Sequence, residues 1–167
     1  MNNKTIEDIA EVLKETLGLD ELTIEGGTIG EKWLRLKPEE LLPVCKTLRD
    51  ESGLRFDMLM CLSGVHYPAE NELGVTYHLN STKLNLKVTL KVRVPEEKAV
   101  IPSVESIWKT ADWHEREAYD MIGVTFANHP NMQRILCPDD WEGFPLRKDY
   151  VQQETYQGIT TRYDEYE

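Results

Sequence analysis

Between Leu84 and Val94 the sequence LNLKVTLKVRV alternates apolar and polar residues without a break. That period of two fits a half-buried strand and little else, with Leu86, Val88, Leu90, Val92 and Val94 on one face. LGVTYHLN, residues 73–80, alternates in the same way. RFDMLMCLSGVHY, residues 55–67, is a nearly continuous apolar run and predicts a central strand. The linker PAENEL is polar and STK is short, so the three strands should form an antiparallel meander.

The chain before this meander reads as helix, strand pair, helix. Thr5 can cap a helix whose stripe is Ile6, Ile9, Ala10, Leu13 and Leu17 and whose stop is Gly18. LTIEGG and EKWLRLKP suggest a short antiparallel pair, with Trp33, Leu34 and Leu36 as inward or cross-strand residues. Pro38 opens a second helix toward Asp50 on the stripe Leu41, Leu42, Cys45 and Leu48. Pro43 should either delay its start to about residue 41 or kink it, because proline lacks the amide that helix bonding needs. With a third helix after the meander, the order predicts an α+β fold: a two-layer sandwich whose mixed, mostly antiparallel sheet carries helices on one face, followed by an extended C-terminal tail.

That third helix should run from Trp113 to Ile122. Asp112 can cap it, Glu115 would complete a capping box, and Gly123 offers a left-handed stop. His114, Ala118, Met121 and Ile122 share one side, which can reach the core. Trp113, Arg116, Glu117 and Asp120 share the other, with Arg116 in pairing distance of Asp120. A charged stripe is ordinarily a solvated face worth a few tenths of a kcal/mol per pair. A tryptophan on the same stripe favours a covered surface instead.

The chain divides into an α+β domain, residues 1–138, and a segment of little regular pattern, residues 139–167, with a weak strand signal near Thr155 to Tyr163. The tail nevertheless holds Trp141, Phe144, Tyr150, Tyr156, Tyr163 and Tyr166. Ordering each residue costs roughly 1 to 2 kcal/mol of backbone entropy, which a segment unable to pack on itself must recover elsewhere. A partner surface would serve, and the extended tail could reach roughly 95 Å at about 3.3 Å per residue. A solvated acidic tail is the other reading for the last ten residues; for Trp141 to Tyr150 it is poorly suited, since disordered segments are usually short of aromatics.

Chemistry is harder to find. The formal net charge is −11, which sets nucleic acid and anionic membrane aside as main partners. Cys45, Cys61 and Cys137 are far apart and form no C-x-x-C motif, so they read as small apolar residues rather than cluster ligands. His114, Glu115, Glu117 and Asp120, with His129, could be taken for a metal or acid-base set, but on the helix they diverge. No H-E-x-x-H motif or phosphate loop is present. His66 and His78, in or beside strands, read as structural imidazoles. Arg147, Lys148 and Asp149 form a weak phosphate patch at best; a guanidinium reaching a carboxylate or carbonyl of a neighbouring chain suits them better. No run approaches a membrane span and the start lacks the pattern of a signal peptide, so a cytoplasmic location is expected.

EREAYDMIGVTF, NHPNMQRIL and DDWEGFPLRKDY, in this order, resemble the signature of the 30 kDa subunit family of respiratory complex I, which includes the C subunit of NADH-quinone oxidoreductase, the plastid and cyanobacterial J subunit, and a subunit of membrane-bound hydrogenases. The likeness extends through VTYHL, KVTLKVRV, Pro102 to Val104 and Ile107-Trp108, beyond about residue 30. Gln133 departs from the pattern, standing where a basic residue or proline is usual. The resemblance implies a cofactor-free structural subunit on the cytoplasmic face of the membrane, in the peripheral arm of a proton-translocating quinone oxidoreductase. Quinone, iron-sulfur clusters and, where the donor is NADH, NADH and FMN would sit on other subunits, and membrane contact would be indirect. The implied partners are the quinone-site subunit, which resembles a hydrogenase large subunit, the terminal-cluster subunit and the ferredoxin-like subunit. In that frame Trp113, Arg116, Glu117 and Asp120 fix the helix against a strand over Asn128 to Leu136 and the partner. His129, Arg134, Trp141, Pro145, Leu146, Arg147, Lys148, Asp149 and Tyr150 form the docking segment.

Overall fold

The computed structural model describes residues 4–19, 22–27 and 30–161. Tyr163 and Tyr166, and the end of the strand expected near residue 163, lie outside the described residues. Among the described residues three α-helices, α1 (Ile6–Leu17), α2 (Pro38–Asp50) and α3 (Ala111–Ile122), accompany a sheet of β1 (Thr23–Gly26), β2 (Lys32–Leu36), β3 (Met58–Tyr67), β4 (Glu72–Ser81) and β5 (Leu86–Pro95). The strand order is β1-β2-β5-β4-β3. Within this sheet the β2–β5 pairing is parallel and the other three are antiparallel. The fold is α+β, a two-layer arrangement of one mixed sheet and helices.

The predicted alternation places the core. Leu86, Val88, Leu90, Val92 and Val94 of β5 are buried. Their register neighbours Leu79, Tyr77, Val75 and Leu73 on β4, and Leu34 and Leu36 on β2, are buried with them. α1 and α2 bring Ile9, Ala10, Leu13, Leu41, Val44, Cys45 and Leu48 to the same cluster. Because β3 runs parallel to β2 from the far side of the sheet, α2 must cross over the layer between them, leaving room for the later hairpin to pair in the middle.

Three expectations are corrected. β3 lies at the sheet edge rather than its centre. Its apolar run is used differently: a bulge between Leu59 and Cys61 resets the register, Met58 and Met60 are exposed, and Gly64 receives α3. α2 starts at Pro38 and continues through Pro43. Pro43 and Glu39, whose carbonyl loses its helix partner there, are both exposed, so water can serve in place of the missing amide. α3 begins at Ala111, ahead of Asp112, and its N-cap Thr110 makes no side-chain cap bond. Buried Trp108, whose indole N–H donates to the Phe56 carbonyl at 3.0 Å, and buried Ala111 fix the entry instead.

After α3, β7 (Thr125–Ala127) pairs in parallel with β6 (Val100–Pro102). No strand follows over Asn128 to Leu136, since those residues run as turns and coil. Thr155–Tyr156 (β8) and Ile159–Thr160 (β9) form a small hairpin in the tail.

Candidate docking surface

α3 reaches β3 closely because Gly64 has no side chain: a Cβ there would lie 3.0 Å from Ile122 Cγ1 and 3.3 Å from Ala118 Cβ. At this edge the Leu62 amide donates to His114 Nδ1 at 3.2 Å. The side of α3 expected to face the core does so.

The opposite side is not a uniform solvated stripe. Asp120 is fully buried. Its Oδ2 accepts the amides of Ile135, Leu136 and Cys137 at 3.0, 2.7 and 2.8 Å, and its Oδ1 accepts Arg134 Nη1 at 2.7 Å. Burial alone would raise this carboxyl's pKa; the Cys137 amide, the Arg134 guanidinium and the other two amides outweigh it and hold the pKa below the usual range. Three successive N–H groups converging on one oxygen form an anion-binding nest. The expected Arg116–Asp120 pair is replaced. Arg116 donates to the carbonyls of Gln133 and Arg134, both at 3.1 Å. Gln133 thus contributes its backbone, which any residue there could supply.

Arg134 extends the staple by donating from Nη2 to the carbonyls of Trp141 and Gly143, at 3.0 and 3.1 Å. His129 secures the near end. Its Nδ1 accepts the Asn131 amide at 3.0 Å, leaving Nε2 to donate toward the Asp112 carbonyl at 3.2 Å.

The following segment closes on the end of α3. A turn from Phe144 to Arg147, with Pro145 at its second position, brings the Leu146 amide to the Met121 carbonyl at 3.0 Å. Arg147 Nε donates to the Ile122 carbonyl at 2.7 Å, and its Nη1 pairs with Glu96. Gly123, at φ 89°, clears Phe144 and Arg147. The Lys148 amide donates to His66 Nδ1 at 3.0 Å, making His66 the structural imidazole expected. His78 differs, because its buried Nδ1 has no hydrogen-bond partner among the described residues. Trp141 donates to the Tyr150 hydroxyl at 3.1 Å and packs on Tyr156 at 5.2 Å between ring centroids. In this chain, therefore, the Arg147 guanidinium reaches a carbonyl and a carboxylate of its own domain. A free helix end supplies both the carbonyls and a negative dipole that suit it.

With the polar atoms turned inward, apolar side chains remain outside. Trp113 is 60% exposed, Leu136 62% and Leu146 60%. Glu117, Lys148 and Asp149 are exposed as well. Between α3 and β3 lies a cavity of about 230 Å³ lined by Leu62, Gly64, His114, Glu117, Ala118 and Leu146.

The sequence did not single out Ser103 as a site residue, and it read Glu115 as a cap. Glu115 is fully buried and accepts Ser103 Oγ at 2.6 Å and the Val104 amide at 2.7 Å. Burial pushes its pKa up to about 7, with nearby Glu105 and Asp112 adding to the rise and the two hydrogen bonds opposing it. Among the described residues no group of three or more His, Cys, Asp or Glu is placed to hold a metal ion.

The profile of the respiratory-chain NADH dehydrogenase 30 kDa subunit matches residues 34–156. The C subunit of NADH-quinone oxidoreductase from Chlorobium phaeobacteroides is 55% identical over 117 residues, 70% of each chain. That of Chloroherpeton thalassium is 55% identical over 117 residues, 70% of this chain and 48% of the relative. That of Nocardioides sp. is 50% identical over 123 residues, 72% and 49% respectively. The chain thus spans about half the length of two of these relatives. Among solved structures, the trypsin-resistant fragment of Nqo5 superposes with TM-score 0.60 at 25% identity, covering 75% of this chain and 98% of the fragment. A chain of the archaeal membrane-bound sulfane sulfur reductase, a respiratory membrane complex, shares the fold with TM-score 0.72 at 24% identity, over 87% of this chain and 85% of that one.

Proposed function

The chain belongs to the 30 kDa subunit family of respiratory-chain NADH dehydrogenase, and from that premise we propose that it acts as a non-catalytic brace in the peripheral arm of a proton-translocating NADH- or ferredoxin-fed quinone oxidoreductase. It binds no cofactor itself. It docks on the subunit that forms the quinone pocket and touches the terminal-cluster and ferredoxin-like subunits. Its place is the cytoplasmic face of the membrane, which it meets only through those partners. Among the described residues no helix is long and apolar enough to cross a bilayer.

One observation carries this reading. Asp120, Arg116, Arg134 and Arg147 hold the 129–150 segment against α3 from within, and this rigid frame presents Trp113, Leu136 and Leu146 outward. Exposed large apolar groups on a fixed backbone, rimmed by charge, are the anatomy of a protein interface, and fixing them in advance lowers the ordering cost of association.

The test removes residues 140–167. The buried hydrophobic core runs from Ile9 to Phe126 and includes none of the deleted residues, so the remainder should keep its α+β circular dichroism. Co-purification with the quinone-site subunit should be lost; assembly that survives the deletion contradicts the proposal.

A further inference from the structure

The sheet has a second face, opposite the helices, and its charge runs against that of the chain. Register places Trp33 and Arg35 of β2, Lys87, Thr89, Lys91 and Arg93 of β5, and Gly74 and Thr76 of β4 on this side. Arg35 lies directly across from Lys91. Two cations rest on aromatic rings: Lys91 Nζ is 3.5 Å from the Trp33 centroid, and Arg93 Cζ is 3.8 Å from that of Tyr67. Gly74 makes the second stack possible, because a Cβ there would come within 2.8 Å of Tyr67 Cε2.

The face carries two carboxylates that pair at its margins, Glu25 with Arg35 at 3.3 Å and Glu72 with Arg93 at 3.7 Å. Lys87 and Lys91 make no ion pair among the described residues. Burial, and then the adjacent Arg93 charge, hold the Lys91 ammonium below its ordinary range. Arg35 and Arg93, with Lys37 and the Glu40 carboxylate, which accepts the Lys37 amide at 2.8 Å, also line a cavity of about 290 Å³ beside Pro38. Bases thus outnumber acids four to two on this face, in a chain whose formal charge is −11. Such crowding raises the energy of the free protein and is relieved by an opposing negative surface.

We propose that this open sheet face is a second docking surface, separate from the α3 side, and that its occupant is a carboxylate-rich surface of a neighbouring protein subunit whose acidic side chain enters the cavity between Arg35 and Arg93. A protein partner fits better than an anionic bilayer. The rest of the chain repels an extended negative sheet, whereas a local acidic patch feels the basic face within roughly 10 Å, the screening length at 0.1 M salt. Arginine and aromatic side chains fixed by stacking are also the residue types favoured at protein contacts.

The inference rests on the chain being an assembled subunit, and the experiment separates the two claims. A photo-crosslinking amino acid replaces Lys87, which is exposed, and the complex is purified through a tag on this chain, irradiated and analysed by mass spectrometry. The expected product is a crosslink to an Asp- or Glu-rich peptide of another subunit. In parallel, Arg35→Glu with Lys87→Glu should lower incorporation into the complex at least tenfold without lowering the thermal midpoint of the purified chain. A lipid adduct, a crosslink to a basic or apolar peptide, no crosslink in an intact complex, or undiminished incorporation of the charge-reversed chain overturns the proposal. Failure of the tagged chain to purify with any complex overturns the subunit reading instead.

Discussion

Asp120 and Glu115 lie five residues apart on one helix, both fully buried, yet pH acts on them in opposite directions. For Asp120 the folded pKa is depressed, so its stabilisation is complete above the ordinary value of 3.8 and disappears as pH falls through the folded value. Asp120→Ala leaves three amides and Arg134 without their acceptor, and a loss of about 3–5 kcal/mol is expected from urea unfolding at pH 7. For Glu115 the folded pKa of about 7 exceeds the ordinary 4.5. The folded state therefore binds that proton more tightly. Its contribution is least favourable above pH 7, and stability should rise by about 1–3 kcal/mol as pH is lowered from 8 to 5. Glu115→Gln should flatten that slope, and denaturation midpoints across the range check it; an unchanged slope contradicts the assignment. The sequence identified Asp120 as important but chose the wrong partner. Helical spacing tells which residues share a face, and Arg134 arrives from outside the helix. Glu115 was misread for a related reason: capping chemistry is local, whereas Ser103 and Val104 come from an earlier turn.

Among the elements, the strands were the most legible because alternation at period two reports burial directly. Leu86 to Val94 needed no correction. Position within the sheet was less accessible, since an apolar run looks the same in a central strand and in an edge strand covered by a helix. Gly64 is the residue that tells them apart, and only contact with α3 gives it meaning. Gly64→Val should push Ile122 and Ala118 away and destabilise the fold by about 1–3 kcal/mol, whereas Gly53→Val, where only the Lys4 ammonium is near, should cost less than half as much. Comparable melting of the two variants would argue against tight α3–β3 packing. For the tail the sequence offers composition and a family resemblance, neither of which gives the direction of a side chain. The tail's aromatics suggest a segment that must find its packing on a partner, whereas in the structure Trp141 packs within the tail on Tyr150 and Tyr156, and Phe144, Leu146 and Arg147 close on the chain's own helix end.

At the scale of the whole molecule, one layer of helices covers one side of the sheet, and two surfaces remain that the fold does not use: the α3 edge with its apolar side chains and the basic sheet face. Family and fold class were legible because the motifs are long and ordered along most of the chain. The division of labour within the C-terminal third was not, because composition cannot say whether an arginine turns inward or outward. On the reading proposed above, inward-turned polar groups hold Trp113 and Leu146 in place to bind a partner. The most direct measurement is incorporation of the double variant Trp113→Ala with Leu146→Asp into the oxidoreductase complex, followed by native gel electrophoresis of solubilised membranes. Both side chains are 60% exposed, so the purified variant should melt within a few degrees of the parent and yet be missing from the assembled complex. A variant that assembles as fully as the parent contradicts that reading.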